Sequence, residues 1–429
     1  MLEDSQEYCG AVQHSAQADS CTNTKGRRQG FCKIYQHLSR LSRILLPSRV
    51  HARPAAATLK GASRTQTVGW LIVIVARFSN ESRILPQREC VLMQSHSDII
   101  QPNQTTNTST NAIPGLYKEL VDVLNRLSEV YYYQGQLDIA VQVHESNIYL
   151  LTAHGATIED KARFQVQRGK MLYYQSSLAD SGFEATWAVL LDAKKLAESS
   201  ADKACLAKAL DLIGSVLYSQ AFSNGNFEGP REYFQHAFEL RQQLVDTQGM
   251  SESLFHLGLT YQNKDNRTEG DRKEALKHFN EAQALAQAGG HKLEESYIVR
   301  HVAAEHQEDG NLDKALAGFE RSLTLREQIG YKVYQPAALL AIGHVYRARQ
   351  KLDQAIEYYQ KAYNLAEQMN QTLYVVRLQM AMGDAEKEKR NIHQALKHYE
   401  TALRTAEAIN YQNGLEAATA KIEAIDREL

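Results

Sequence analysis

The sequence predicts an all-α fold, a right-handed α-solenoid of about seven antiparallel helix pairs with a C-terminal capping helix. Three rows of similar residues, each spaced by forty positions, support this prediction. They are a small row (Ala275, Ala315, Ala355, Ala395), an aromatic row (Phe279, Phe319, Tyr359, Tyr399) and a second small row (Ala282, Ser322, Ala362, Ala402). Residues at offsets 0, +4 and +7 lie on one face of a helix, so each repeat presents the same contact face to a neighbouring helix.

A fourth row marks the end of each repeat. Glycine and asparagine recur at the same interval, in the order Gly290, Gly330, Asn370 and Asn410. These residue types readily adopt the left-handed backbone conformation that ends a helix, so each repeat is expected to end in a tight turn. A glycine within the first helix of a pair, as at Gly258 and Gly343, is expected to let the second helix approach closely.

Extending this pattern in both directions predicts seven helix pairs. The predicted pairs span residues 116–154, 158–200, 202–248, 251–289, 292–329, 332–369 and 372–409, and a capping helix spans residues 412–428. The capping helix carries charged residues that suit a solvent-facing end, namely Lys421, Glu423, Asp426, Arg427 and Glu428. In a solenoid, each repeat is expected to contact only its neighbours along the chain.

The first 92 residues differ in composition from the rest. They carry 13 Lys/Arg against 6 Asp/Glu, whereas residues 93–429 carry 35 against 44. Two interpretations stay open for residues 1–92: a basic disordered segment, either a transit-like presequence or a tail for nucleic acid or anionic lipid, or a mis-annotated stretch upstream of a true start at Met93. Residues 93–115 are polar and predict a flexible leader. Residues 116–429 are the predicted repeat domain.

No run of apolar residues is long enough to cross a bilayer as a helix. The longest run, Val68 to Val75, has eight residues, whereas a spanning helix needs about 20. Acidic residues near the N-terminus, Glu3 and Asp4 among them, argue against a secretory signal. We therefore expect a cytoplasmic protein without a membrane span.

Motifs for common catalytic and metal sites do not occur in the sequence. Neither the phosphate-binding GxxxxGK[ST] pattern nor the lipase-type GxSxG pattern is present. The nearest approach to the zinc motif HExxH is the segment from His301 to His306, whose histidines lie five residues apart. That spacing places them on different faces of a helix, so they cannot share a metal. We expect no enzymatic activity, no metal and no cofactor.

The repeated positions resemble those of the tetratricopeptide repeat family, in a long variant with forty residues per repeat. Gly258, Ala275 and Ala282 match the small positions of the family, and Tyr261 and Phe279 match its aromatic positions. The resemblance implies a non-catalytic scaffold that binds another protein or a peptide on its concave surface. One alternative is a sensory arm that binds a small peptide or metabolite signal and changes conformation. Another is an activity conferred by residues 1–92.

The resemblance also implies which side chains line the concave groove, since in the family they lie on the first helix of each pair. Carried onto this sequence, they are Asn125, Tyr132, Lys170, Tyr173, Asp211, Tyr218, Phe255, Gln262, Arg300, Gln307, His344, Arg347, Arg377 and Lys387. The C-terminal half of this set is basic, which favours an acidic peptide held through its carboxylates. The other interpretation is a solvated helix face. No nucleic acid is expected on residues 116–429.

Overall fold

The computed structural model describes residues 112–263 and 267–427, and the described residues are helical with no strand. Fifteen α-helices occur in these ranges: α1 Ala112–Tyr133, α2 Leu137–Glu145, α3 Ile158–Ala179, α4 Phe183–Ser200, α5 Lys203–Asn224, α6 Glu228–Leu244, α7 Thr247–Gln262, α8 Glu269–Gly289, α9 Lys292–Glu308, α10 Leu312–Gln328, α11 Gln335–Ala348, α12 Leu352–Gln368, α13 Thr372–Glu388, α14 Ile392–Ala408 and α15 Gln412–Asp426. The predictions for residues 1–92 lie outside the described residues.

Consecutive helices pack in pairs, and each pair packs on the next. The seven pairs, α1–α2 to α13–α14, are repeats 1 to 7, and α15 packs on α14 as the predicted cap. Several boundaries differ from expectation by a few residues, as in repeat 4, where α7 begins at Thr247 and not at residue 251, and repeat 1 differs most. Helix α1 begins at Ala112, inside the predicted leader, and the second helix of repeat 1 ends at Glu145, followed by a short 3₁₀ helix at Ile148–Thr152. The predicted all-α solenoid is confirmed.

The repeated rows form the contacts between paired helices. Ala275 and Phe279 on α8 are fully buried, and a Cβ atom built on Gly258 of α7 would clash with the ring of Phe279. The same relation holds between Gly343 and Tyr359. Glycine at these positions therefore makes room for the aromatic ring of the partner helix, as the sequence predicted.

The turns between repeats have the left-handed conformation that the fourth row predicted. The φ angle is 69° at Gly290, 68° at Gly330, 54° at Asn370 and 53° at Asn410. The longer connections before α3 and α8 end differently. Thr157 and Thr268 each form a capping box with the aspartate three residues later. Residues close in sequence thus fix the starts of α3 and α8.

The solenoid also makes a contact between repeats that are distant in sequence. The backbone N–H of Lys332 donates a hydrogen bond to the carbonyl of Tyr133 over 2.7 Å, and the side chain of Met369 packs on Gly135. Helix α3 likewise contacts α13. The expectation that each repeat contacts only its neighbours is therefore wrong, because repeats 1 and 2 pack against repeats 5 to 7.

Six tyrosines form the centre of this contact, and we call them the tyrosine closure: Tyr132, Tyr133, Tyr174, Tyr297, Tyr331 and Tyr334. The rings of Tyr132 and Tyr174 stack with their centroids 4.3 Å apart, and the ring of Tyr331 meets that of Tyr132 edge-on at 5.6 Å. Edge-on and offset arrangements of this kind are favourable for aromatic pairs. The closure joins side chains up to 199 residues apart in sequence.

None of the helices in the described part of the chain is long and apolar enough to cross a membrane.

Candidate functional site

The fourteen predicted groove residues all lie on the first helix of a repeat, α1 to α13 in odd numbers. They differ in exposure. Four are buried, namely Tyr132, Asp211, Phe255 and Gln262. Arg377 is exposed, and the remaining nine are partly buried: Asn125, Lys170, Tyr173, Tyr218, Arg300, Gln307, His344, Arg347 and Lys387.

The four buried residues hold the solenoid together and do not face an open groove. Tyr132 belongs to the tyrosine closure, and Phe255 packs against Phe279 with ring centroids 5.9 Å apart. Gln262 donates from Nε2 to the carboxylate of Glu305 at 2.7 Å and to the carbonyl of His301 at 3.1 Å. At these positions the side chains make internal contacts: Tyr132 and Gln262 reach other repeats, and Phe255 packs on the second helix of its own repeat.

Asp211 forms a buried ion pair in repeat 3. Its carboxylate accepts a hydrogen bond from Arg241, whose side chain is 2% exposed. The same guanidinium donates to the carbonyl of Gly249 at 2.8 Å, to Ser253 Oγ at 2.6 Å and to Glu252 at 2.8 Å. Burial by itself lowers the pKa of Arg241, but the carboxylates of Asp211 and Glu252 outweigh burial and raise it. The charge of Arg241 is thus well compensated.

Arg326 lies in the last turn of α10 in repeat 5, as Arg241 lies in the last turn of α6 in repeat 3. Unlike Arg241, it has no acidic partner among the described residues. It is 1% exposed, donates to the carbonyl of Tyr334 at 2.6 Å, and lies 5.2 Å from the ring centre of Tyr297. Its Nε is 3.4 Å from Ser296 Oγ. These neutral acceptors and the aromatic ring are weaker partners for a buried cation than a carboxylate.

Arg300, on α9 of the same repeat, adds a second cation. Its Nε atom is buried and has no hydrogen-bond partner, and its Nη1 lies 3.2 Å from Nε2 of His301. Within the described ranges no carboxylate pairs with it. Burial lowers the pKa of Arg300, and the nearby charge of Arg326 lowers it further. The inner surface of repeat 5 therefore carries uncompensated positive charge.

The tyrosine closure borders this charged region. The hydroxyl of Tyr331 makes hydrogen bonds with the hydroxyls of Tyr132 and Tyr297. Burial, followed by the neighbouring hydroxyl of Tyr297, raises the pKa of Tyr331 well above its ordinary value. These hydroxyls stay protonated at neutral pH and can act as hydrogen-bond donors.

One edge of the inner surface brings three predicted residues together. Gln307, His344 and Arg347 line an open depression of about 310 Å³, together with Gln350 and Glu388. Arg347 pairs there with Asp384 at 3.1 Å and with Glu388 at 2.6 Å. Burial lowers the pKa of His344 to about 4, so this histidine is neutral at pH 7.

The basic character predicted for the C-terminal half is therefore reduced by ion pairing. Arg347 is neutralised by two carboxylates, and His344 carries no charge. In the N-terminal half, Lys170 pairs with Glu129 at 2.8 Å. Of the arginines predicted to line the groove, Arg300 and Arg377 make no ion pair with a described residue. Arg377 instead lies 5.8 Å from the ring centre of Tyr374.

Sequence reasoning missed Arg326 and the tyrosine closure. Arg326 had a visible signal, because it interrupts a row of alanines spaced by forty residues, Ala286, Ala366 and Ala406, all fully buried. A charged residue among buried alanines indicates that this position has a role besides helix packing. The described residues contain no group of three or more side chains that could hold a metal ion.

The comparison with protein families identifies repeats in the C-terminal part of the chain. Residues 298–368 and 334–408 match the tetratricopeptide repeat model. No curated protein matches the sequence.

Solved structures resemble the chain over most of its length at low sequence identity. A Rap protein in complex with competence and sporulation factor is 12% identical, with a TM-score of 0.52, over 85% of this chain and 98% of that chain. RapI in its apo form is 15% identical over 66% of this chain and 99% of that chain, with a TM-score of 0.46. The quorum sensor NprR from B. thuringiensis is 10% identical over 85% and 97%, with a TM-score of 0.44.

The first of these structures supports the fold, and the family match covers repeats 5 to 7, where the forty-residue rows are most regular. Residues 298–408 are therefore tetratricopeptide repeats, and the chain is a tetratricopeptide repeat protein.

Proposed function

We propose that this protein is a non-catalytic binding protein whose inner surface holds a peptide or an extended segment of another protein. The observation that carries the proposal is the set of partly buried polar side chains on the inner helices, which are accessible yet fixed by a rigid scaffold. The similar fold of a Rap protein in complex with competence and sporulation factor supports it. An acidic ligand is favoured by Arg300 and Arg377, which no described carboxylate neutralises.

Site-directed photo-crosslinking tests this proposal. A benzophenone amino acid replaces Gln307 on the inner surface in one protein and the exposed Gln360 of α12 in a control protein. Both proteins are irradiated in the native cell, and crosslinked products are identified by mass spectrometry. We expect a defined partner from position 307 and not from position 360. Equal products from both positions, or none from position 307, would contradict an inner binding surface.

A second candidate function is a sensor that changes conformation when its ligand binds. The tyrosine closure favours it, because a ligand on the inner surface of repeat 5 lies beside a contact between distant repeats. A ligand can shift such a contact only if it binds the two states differently. Hydrogen exchange at the Lys332 amide, which bonds the Tyr133 carbonyl, measures this directly. If the exchange rate of this amide is unchanged when the crosslinked partner is bound, the sensor function is excluded and only the scaffold function remains.

A further inference from the structure

Repeats 3 and 5 place different residues at equivalent positions. Asp211 lies three residues before Gly214, the close-contact position of α5, and Arg300 lies three residues before Ala303, the corresponding small residue of α9. The arginines of the second helices also correspond. Arg241 and Arg326 each donate to the carbonyl eight residues further along the chain, at 2.8 Å and 2.6 Å.

This correspondence reveals a missing carboxylate. In repeat 3, the buried arginine meets Asp211, and Ser253 and Glu252 from the next repeat complete its surroundings. In repeat 5, the position of Asp211 holds Arg300, so a second cation stands where repeat 3 has the acid that pairs with its buried arginine. Leaving a buried charge without its partner strongly destabilises a folded protein. An anion at this place would remove much of that destabilisation.

Accessibility distinguishes the two arginines. Arg326 is 1% exposed, so it cannot reach a ligand directly. Arg300 is only partly buried as a whole residue, although its Nε atom is buried and has no partner. Aromatic rings border the buried cation of repeat 5, because the guanidinium of Arg326 lies 5.2 Å from the ring centre of Tyr297, and the rings of Tyr297 and Tyr334 are 5.9 Å apart. A flat carboxylate fits between a guanidinium and such rings, where hydroxyl groups supply further donors.

We propose that Arg300 binds a carboxylate of the ligand, which supplies in repeat 5 the negative charge that Asp211 supplies in repeat 3. The buried charge of Arg326 makes the electrostatic potential at this site more positive. The rings of Tyr297 and Tyr334 exclude water from the site. The inference rests on the proposed function and specifies its ligand as a peptide with an acidic group. That group is either an acidic side chain or the terminal carboxylate of the peptide.

Three hexapeptide probes, labelled with fluorescein at the N-terminus, distinguish these sources by fluorescence polarisation with the full chain. They are hexaglutamate with an amidated C-terminus, hexaglutamine with a free C-terminus and hexaglutamine with an amidated C-terminus. We expect one of the two carboxylate probes to bind at least about tenfold more tightly than the amidated hexaglutamine. Preference for the first indicates a side-chain carboxylate, and preference for the second indicates a terminal one. Equal affinities for all three probes, or no binding, would overturn the proposal.

Variants link the effect to Arg300. Arg300→Gln should bring the carboxylate probes to the affinity of the amidated hexaglutamine, whereas Arg404→Gln, a change at an exposed arginine of α14, should leave the preference intact. A preference that survives Arg300→Gln would refute the assignment.

A ligand-independent measurement uses the internal comparison. Arg300→Asp recreates the charge arrangement of repeat 3, and we expect its Tm to rise by about 2 °C or more. The Tm of the unaltered protein should also be higher in sodium acetate than in sodium chloride of equal ionic strength, and this difference should be smaller in Arg300→Asp, which retains only the general stabilising effect of acetate. A lower Tm for Arg300→Asp, or an acetate effect of the same size in both proteins, contradicts the site. The crosslinking from position 307 is independent of both results, so the anion site and the inner binding surface can fail separately.

Discussion

Repeats 3 and 5 share a backbone arrangement and differ in how they treat the same buried position. In repeat 3, Arg241 and Asp211 satisfy each other inside the protein. In repeat 5, Arg326 and Arg300 have the same sign, and the described residues offer them no acid. A repeat protein can thus use one position for stability in one copy and leave it electrostatically incomplete in another. The proposed carboxylate site lies in the incomplete copy.

The largest expected effect separates the two buried arginines. Arg241→Met leaves Asp211, which is 3% exposed, without its cation, and we expect a loss of about 3–5 kcal/mol in the free energy of unfolding. Arg326→Met removes a cation that no acid compensates, so we expect a loss of only about 1 kcal/mol from its lost hydrogen bonds. Urea unfolding of both variants measures the difference. Equal losses would show that the two repeats do not differ electrostatically.

The next effect concerns the tyrosine closure beside repeat 5. Tyr331→Phe leaves the hydroxyls of Tyr132 and Tyr297 without their shared partner, and we expect a loss of about 1–3 kcal/mol in the free energy of unfolding. Tyr233→Phe on α6 of repeat 3 is the matched control, because its hydroxyl makes no comparable contact in the described structure. If the control lost as much stability as Tyr331→Phe, the hydroxyl network would have no special role.

A smaller effect depends on pH. Burial, followed by the charges of Arg300 and Arg326, lowers the pKa of His301 well below its ordinary value of about 6.5. The unfolded chain therefore takes up a proton at this histidine as the pH falls below about 6.5, while the folded chain does not. Stability is lost as the pH falls, by about 1 kcal/mol between pH 7 and pH 5.5.

The variant His301→Gln should abolish this part of the pH dependence, and unfolding at both pH values measures it. His236→Gln, at an exposed position of α6, is the control. If His301→Gln and His236→Gln show the same change between pH 7 and pH 5.5, His301 is not kept neutral by the folded protein.

The smallest effect is expected at the edge of the inner surface. Glu388 is 33% exposed in its ion pair with Arg347, and exposed pairs contribute about 0.2–1 kcal/mol. Glu388→Gln should therefore change the free energy of unfolding by less than about 1 kcal/mol, since Asp384 still pairs with Arg347. A loss as large as that of Arg241→Met would mean that partly exposed pairs matter as much as the buried pair of repeat 3.

The helix pairs and their turns could be predicted because each depends on residues close in sequence. Gly258 and Phe279 are neighbours in one repeat, and Asn370 sets its own backbone conformation. The burial of Asp211 could not be predicted in the same way. It depends on which long side chain of α6 reaches across the pair, and the spacing of residues does not encode that.

The tyrosine closure was hidden for a related reason. A periodic pattern describes how each repeat meets the next, whereas Tyr132 and Tyr331 meet because the curvature of the whole stack brings repeats 1 and 5 together. Curvature accumulates from small rotations at every interface, so no single motif carries it. The predicted inner-surface residues all lie on odd-numbered helices, and their contact with a partner stays a prediction. The net charge around each of them depends on side chains from other helices, which the sequence pattern does not describe.

The contact between Lys332 and Tyr133 also bears on how the protein unfolds. In an open array, stability is a sum of terms for single repeats and their interfaces, so the ends fray and the middle survives. A bond between repeat 1 and the connection that joins repeats 5 and 6 links the fraying of the N-terminal end to the loss of structure near residue 331. Fragments that lack the first repeat would then lose order in the fifth, and the long loop that this contact closes would slow folding relative to an open stack of the same length.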